Sequence, residues 1–572
     1  KTEVVLLASE EEIARNRTAW NLEQVGALAT VKSATDPGIT LGVATGELQV
    51  CKDQLLQKVE VNRSMQQKVQ ICADAQTEHV LNRQCLGINK VNHILRVHGE
   101  ALWRDRAILA SFDENQRTTL DRLFPGLTEE GHKQAVLGAS VGGLGWRSAT
   151  DTALPANLAA LTLAAPKIRA MAESMVTAGL LPAGILEAKL AAKIESVKVA
   201  FMTELDPGEQ VKAQDFLTRA EQGAQQAWQA LVEGSPGDIR GPRADAEYSR
   251  PGDVPTASSS VTEDGGSADP EASNTSMLTS HVQGQLSRLA DCTRLRKLEA
   301  TLKSLCRWPQ LKRLKELRHK EVSHAWLWHL NPLKGSVMSE ADYVAGVQKR
   351  LGAKILCSEC ACRLCGRTLD PHLDHSEVCS IGEATRGHYA VVRAVVDGLR
   401  IADSAVTTEP RGLTSTQARP ADIFTSAAVP GRSAALDVCI ASPDAASAGE
   451  DAVQTAFKRK LDHYRNVIPE LHAAGIAFRP LIWSADGRPH PAATRTLKYA
   501  ADIAARKRGG AAAPGLLARW KHEITVAIVR RRAAMVRAVQ PPIGVKELWM
   551  LTGVADEGGF GMEGRLAVID ED

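Results

Sequence analysis

The chain has 572 residues and a net charge of +2, with 44% hydrophobic and 24% charged residues. At ~100–200 residues per domain that length predicts three or four units, and the near-zero balance excludes a polycation, leaving local basic clusters to meet any nucleic acid. The sequence has no run of ~18 or more apolar residues of the kind that spans a bilayer, and eleven cysteines, five of them between 357 and 379, fit a metal site in a reducing compartment rather than a disulfide framework.

The chain opens with a predicted strand, KTEVVLLAS, and a helix, EEEIARNRTAWNLEQVG. Leu48, Leu55, Leu56, Val59, Val61, Met65, Val69 and Ile71 recur at three- and four-residue steps, predicting a long helix. A second helix is expected over roughly 76–98, and a third runs to Pro125-Gly126. VGGLGWRSA at 141–149 interrupts helix and is not a nucleotide loop, since no Lys-Ser/Thr follows. Alanine- and leucine-rich helices then fill 155–232. A tract at 234–276, rich in Gly, Pro, Ser, Asp and Glu, predicts a disordered linker. A basic helical segment follows at 281–330, with Trp308, Trp326 and Trp328 interleaved, and a short helix at 340–352. A helix at 384–400 leads to strands at 419–424 and 434–441. A helix at 450–468, a strand at 475–483 and a basic helical tail from 494 to about 538 complete the pattern.

Cys362-x-x-Cys365 and His375-x-x-x-Cys379 make two compact pairs. Zinc takes four N/S ligands in a tetrahedron, commonly from two tight turns. Gly366 suits the first turn, and the second pair fits the first turn of a helix. Cys357, Cys360, His372 and His388 are alternative ligands; the other alternative, unligated buried thiols, is disfavoured by two overlapping CxxC pairs with His nearby.

Asp422 is expected to end one short strand and Asp437 to sit in the next, with Pro430-Gly431 at the hairpin turn. Two close carboxylates repel, and magnesium relieves that repulsion while activating water. A cation is also wanted beside such a site. Lys460 and Tyr464 lie four apart on one helix face, with Lys458 the competing lysine and Glu409 a further acid from the preceding element. Cys439 occupies the place, two residues past the second acid, where a PD-(D/E)xK site keeps its lysine. Taken singly, each of these residues also fits an ordinary turn or a solvated helix face.

The order of the zinc cluster, RPAD, ALDV, K-x-x-x-Y and GIAFRPLIWSADG resembles the carboxy-terminal region of non-LTR retrotransposon polyproteins. KTEVV, LGVATG, NKVNHILRVHG and VGGLGWRSA resemble the end of a reverse transcriptase palm, the thumb and the segment after it. The resemblance implies a restriction-like endonuclease behind a CCHC zinc motif, working in target-primed reverse transcription. The endonuclease nicks target DNA, and the exposed 3′ end primes copying of the element RNA. It implies that Asp422 and Asp437 bind a catalytic Mg2+, that Lys460 assists with Glu409 and Tyr464, and that Cys362, Cys365, His375 and Cys379 bind a structural Zn2+. Lys1 would be the palm lysine, with the polymerase aspartates upstream of it, so no polymerase activity is expected of the chain alone. A nuclear location follows from the same resemblance, and no membrane is expected because the sequence lacks a long apolar run.

The expected fold is multidomain and mostly α, with a small α/β restriction-endonuclease-like core and a zinc-stabilised module. The expected units are palm end and thumb-like helices (1–110), a post-thumb helical region (111–233), the linker (234–280), a basic helical region (281–352), the zinc module (353–383), the nuclease core (384–505) and a basic tail (506–572). Arg294, Arg296, Lys297, Lys312, Arg313, Arg530, Arg531 and Arg532 are the expected nucleic-acid contacts, salt-dependent if they meet phosphate. Solvated helix faces are the plain alternative. The competing function is a non-catalytic, zinc-dependent nucleic-acid-binding protein with a degenerate nuclease core, which Cys439 favours.

Overall fold

The computed structural model describes residues 2–5, 29–32, 38–40, 43–45, 48–179, 182–232, 282–330, 338–356, 358–415, 420–509 and 513–540. Lys1, Cys357, the helix expected at 10–26, the linker at 234–280 and the end of the expected tail lie outside them.

Near the start, β1 (Thr2–Val5) pairs in parallel with β2 (Ala29–Lys32), and β3 (Gly38–Thr40) pairs antiparallel with β4 (Val43–Thr45). Helices dominate from there: α1 (Leu48–Val69), α2 (Ala75–Gln84), α3 (Asn92–Arg104), α4 (Arg106–Leu123), α5 (Glu129–Ala135) and α6 (Ala149–Thr177). The single helix expected at 76–98 is broken between α2 and α3 by a 3-10 turn at Ile88–Lys90. Next come α7 (Ile185–Thr203), α8 (Pro207–Val232), α9 (Val282–Ser304), α10 (Trp308–Leu317) and α11 (Glu340–Leu351).

Packing does not follow the expected division at 110. Leu55, Ile94, Leu95, Leu102 and Phe112 share one core with Ala149, Ala153 and Ala156 of α6. The opposite face of α6 packs Leu154 and Leu158 against Phe201, Phe216 and Leu286, joining α7, α8 and α9. The glycine-rich stretch after α5 wraps an arginine: Arg350 donates to Gly143 O (2.9 Å) and Ala139 O (2.9 Å).

The second half begins with a two-strand hairpin, β5 (Cys360–Ala361) and β6 (Thr368–Leu369), then α12 (Ser376–Cys379) and α13 (Ile381–Ala402). A four-stranded mixed sheet follows, made of β7 (Thr407–Thr408), β8 (Ile423–Val429), β9 (Arg432–Ala441) and β10 (Ala477–Ser484). Its order is β10-β9-β8-β7, with β9 and β10 parallel and the other pairs antiparallel. The crossover from β9 to β10 carries α14 (Ala452–His463) and α15 (Ile468–Ala473); α16 (Pro491–Lys507) and α17 (Ala513–Val539) close the fold.

β9 alternates strictly, so its two faces do different work. Leu436 and Val438 join Val391, Val395, Leu399, Leu497, Trp520, Ile524 and Ile528 in a core covered by α13, α16 and α17. Ala435 and Ala441 face the other way, toward α15 and α14, and Asp437 shares that face. The helix expected to belong to a basic tail is thus a wall of the sheet's core. Trp520 is 1% exposed and Ile528 fully buried, because α17 carries an apolar stripe between its arginines. Among the described residues, no helix is long and apolar enough to cross a membrane.

Candidate metal centre and acid–lysine site

The β5–β6 hairpin tightens into the turn that holds Cys362 and Cys365. Cys362 N–H donates to Arg367 O at 2.7 Å and Gly366 N–H to Cys362 O at 2.8 Å. Gly366 has φ +72°, a left-handed value that glycine adopts without a Cβ clash. The second pair comes from α12, as the spacing predicts. Asp370 organises its entry by accepting the N–H groups of His372 (3.0 Å), Asp374 (3.1 Å) and His375 (3.1 Å).

The donor atoms of Cys362, Cys365, His375 and Cys379 all lie within 4.8 Å of one another. Cys362 Sγ is 3.7 Å from Cys379 Sγ, and Cys365 Sγ is 3.2 Å from His375 Nε2. Leu364 N–H points at Cys362 Sγ (3.4 Å). Burial and the neighbouring Cys365 and Cys362 sulfurs push the Cys379 thiol up to about 12. Three sulfurs and an imidazole crowded to this degree fit a tetrahedral cation such as zinc. His372 points elsewhere, to Ala353 O at 2.9 Å.

Two buried charge clusters seat this module. Arg532 of α17 reaches Glu377 of α12 and Asp486 after β10, with all three side chains at most 6% exposed. Arg313 (3.0 Å) and Lys349 (2.7 Å) meet at Asp374 Oδ1. Burial opposes ionisation of Asp374, but the two cations hold its carboxyl well below the usual range. Leu369 and Leu373 complete the seat against Val536 and Val539.

The acids meet at the start of β8. Asp422 does not end a strand: it immediately precedes β8, because the hairpin turn pairs Ile423 with Leu436 and so sets Asp422 opposite Asp437. Val438 N–H donates to Asp422 Oδ2 at 2.7 Å, and His388 Nε2 lies 3.4 Å from its Oδ1. Lys460 Nζ sits 3.0 Å from Asp437 Oδ1 and 2.9 Å from Oδ2; Tyr464 OH donates to Oδ1 at 3.5 Å. Asp437 is only 4% exposed. Burial raises its pKa, Lys460 pulls it back, and Asp422 pushes it up again. Lys458 is exposed. Glu409, at φ +47°, donates its N–H to Asp422 O (2.8 Å) while the residue is exposed. Cys439 lies on the same strand face as Asp437, where burial raises its thiol pKa and Lys460 opposes that.

His388 is the member that sequence reasoning missed, set aside as a spare zinc ligand. Its place on α13, one helix after the Cys3His module and 34 residues before Asp422, leaves no local signal.

The expected basic contacts divide. Arg313 and Arg532 serve internal carboxylates, since a charge this buried must be paired. Arg294 bridges Asp151 (3.2 Å) and Asp291 (3.5 Å), Arg296 binds Asp206 (2.9 Å) and Glu209, and Lys312 donates to Pro443 O (3.1 Å). Lys297 is exposed, and Arg530 and Arg531 are half-buried. Trp326 is a core residue, with its ring 5.8 Å from Tyr343, and Trp328 lies under Arg83.

No family model matches the chain, and none of the curated proteins matches it. The protein is mostly helical, with a small mixed sheet and a Cys3His cluster able to bind a metal such as zinc.

Proposed function

We propose that the chain is a metal-dependent DNA endonuclease of the restriction-like kind. It would be the carboxy-terminal part of a non-LTR retrotransposon protein that nicks nuclear target DNA beside a reverse transcriptase copying element RNA. One observation carries the reading: Lys460 Nζ lies 2.9 Å from the buried Asp437 carboxylate, opposite Asp422.

Asp422 and Asp437 would hold Mg2+, whose charge offsets their mutual repulsion and, when bound, lowers the pKa of a water and neutralises phosphoryl charge. Lys460 holds Asp437 ionised and brings an ammonium to where phosphate charge develops. Tyr464 steadies the same carboxylate, and His388 and Val438 N–H orient Asp422. The lysine arrives from α14 rather than from β9, so Cys439 need not be basic. Cys362, Cys365, His375 and Cys379 would hold a structural Zn2+.

The second reading, binding without cleavage, is favoured by the direct Lys460–Asp437 pair, which leaves that acid already neutralised. A supercoiled-plasmid nicking assay with Mg2+ separates the two. Asp437→Asn is expected to cut at least ~10²-fold more slowly than wild type. Equal nicking by both proteins rejects the catalytic reading.

A further inference from the structure

At the carboxyl end of β9 a cavity of about 300 Å³ opens between α12, α14 and α17. Arg531, Arg459, Ser442 and Ser447 supply its polar lining, and alanines of β9 and α14 keep it roomy. In open α/β sheets this end of parallel strands is where ligands settle. Glu377 also lines the cavity, but Arg532 engages it. Neither Arg459 nor Arg531 pairs with a carboxylate among the described residues. Arg459 donates to Ser447 Oγ (3.2 Å), and Arg531 Nε to Ala384 O (3.4 Å).

The Arg531 side chain is given a path. Its stem crosses α13 at Gly387, where a Cβ would fall 2.2 Å from Arg531 Cγ. Burial lowers the pKa of Arg531 and the nearby charge of Glu377 raises it, but Glu377 is hydrogen-bonded to Arg532, so the half-buried Arg531 guanidinium keeps donors for a further anion. Ile440 begins the cavity about 10 Å along the strand from Asp437, and the field of Arg459 and Arg531 reaches the intervening Cys439.

We propose that this cavity seats a backbone phosphate of the DNA strand that passes Asp437, with Arg531 and Arg459 as its clamp. The proposal rests on the endonuclease reading and adds the binding subsite to it. Arginine suits the role because its fork matches two phosphate oxygens, and the Ser442 and Ser447 hydroxyls lie at hand as further donors.

The test measures binding of a fluorescent single-stranded DNA oligonucleotide by anisotropy, on the full chain without added Mg2+, across a salt series. Arg459→Gln/Arg531→Gln is expected to weaken binding roughly 10-fold or more and to reduce the salt slope by about 1. Arg465→Gln, an exposed arginine paired with Asp462, should change neither. Ser447→Asp, a surface change that adds a carboxylate beside Arg459, should weaken binding similarly and keeps the test valid if the double variant misfolds. Wild-type affinity and slope in folded Arg459→Gln/Arg531→Gln and in Ser447→Asp would overturn the clamp. So would competition data in which inorganic phosphate fills the cavity while DNA affinity ignores both arginines. Asp437→Asn separates the readings: if it nicks like wild type while the arginine variants lose binding, catalysis at Asp437 fails and the phosphate seat stands.

Discussion

Arg532→Met probes the junction between the Cys3His module and the sheet. The substitution keeps the apolar stem but removes the cation between Glu377 and Asp486, whose side chains are each 1% exposed. Two carboxylates would then be buried and unpaired. Breaking a buried pair by deleting one partner costs about 3–5 kcal/mol, which lowers Tm by roughly 6–20 °C in a domain of this size. Thermal unfolding followed by circular dichroism reads the loss. The companion variant Glu377→Gln/Arg532→Met/Asp486→Asn, with no stranded charge, should recover much of it. A Tm within about 2 °C of wild type for Arg532→Met would refute the reasoning. If DNA affinity fell at the same time, it would restore the phosphate-facing role expected from the arginine run.

Elemental analysis should find about one zinc per chain, and Cys365→Ser should lose it and expose residues 356–380 to protease; a metal-free, fully folded preparation rejects the cluster. On the endonuclease reading, the nicking rate should fall on the acid side at a pH above the ordinary aspartate value. Burial raises the Asp437 pKa, and the ionised form, needed for metal binding, is lost as pH drops through that raised value. Because Lys460 pulls this pKa down, Lys460→Met should move the acid limb to higher pH; a shift to lower pH contradicts the pairing.

Local chemistry was legible in the sequence and distant chemistry was not. The four candidate metal ligands fall between Cys362 and Cys379, so their spacing alone describes two tight turns. Pro430-Gly431 marked the β8–β9 hairpin, though its register, fixed by the pairing of Ile423 with Leu436, moved Asp422 from the end of a strand to the start of one. Lys460 and Tyr464 were readable as one helix face. The Arg532–Glu377 pair spans 155 residues and has no periodicity to betray it. Arg313 misled for a related reason: in a helix rich in Lys and Arg, nothing local shows which cation turns inward to Asp374. His388 was hidden likewise, since only the packing of α13 against the sheet brings it to Asp422.

The position of α17 has a consequence for biosynthesis. The acids at 422 and 437 leave the ribosome roughly 100 residues before Val539, a delay of about 5–20 s at ordinary elongation speeds. Until then one side of the sheet lacks Trp520, Ile524 and Ile528, and the Cys3His turns lack Val536 and Val539. A nascent chain is therefore unable to close the core of its sheet, and it shows a greasy surface that a chaperone would shield. The fold on which the proposed endonuclease reading depends is complete only once translation has passed its last wall.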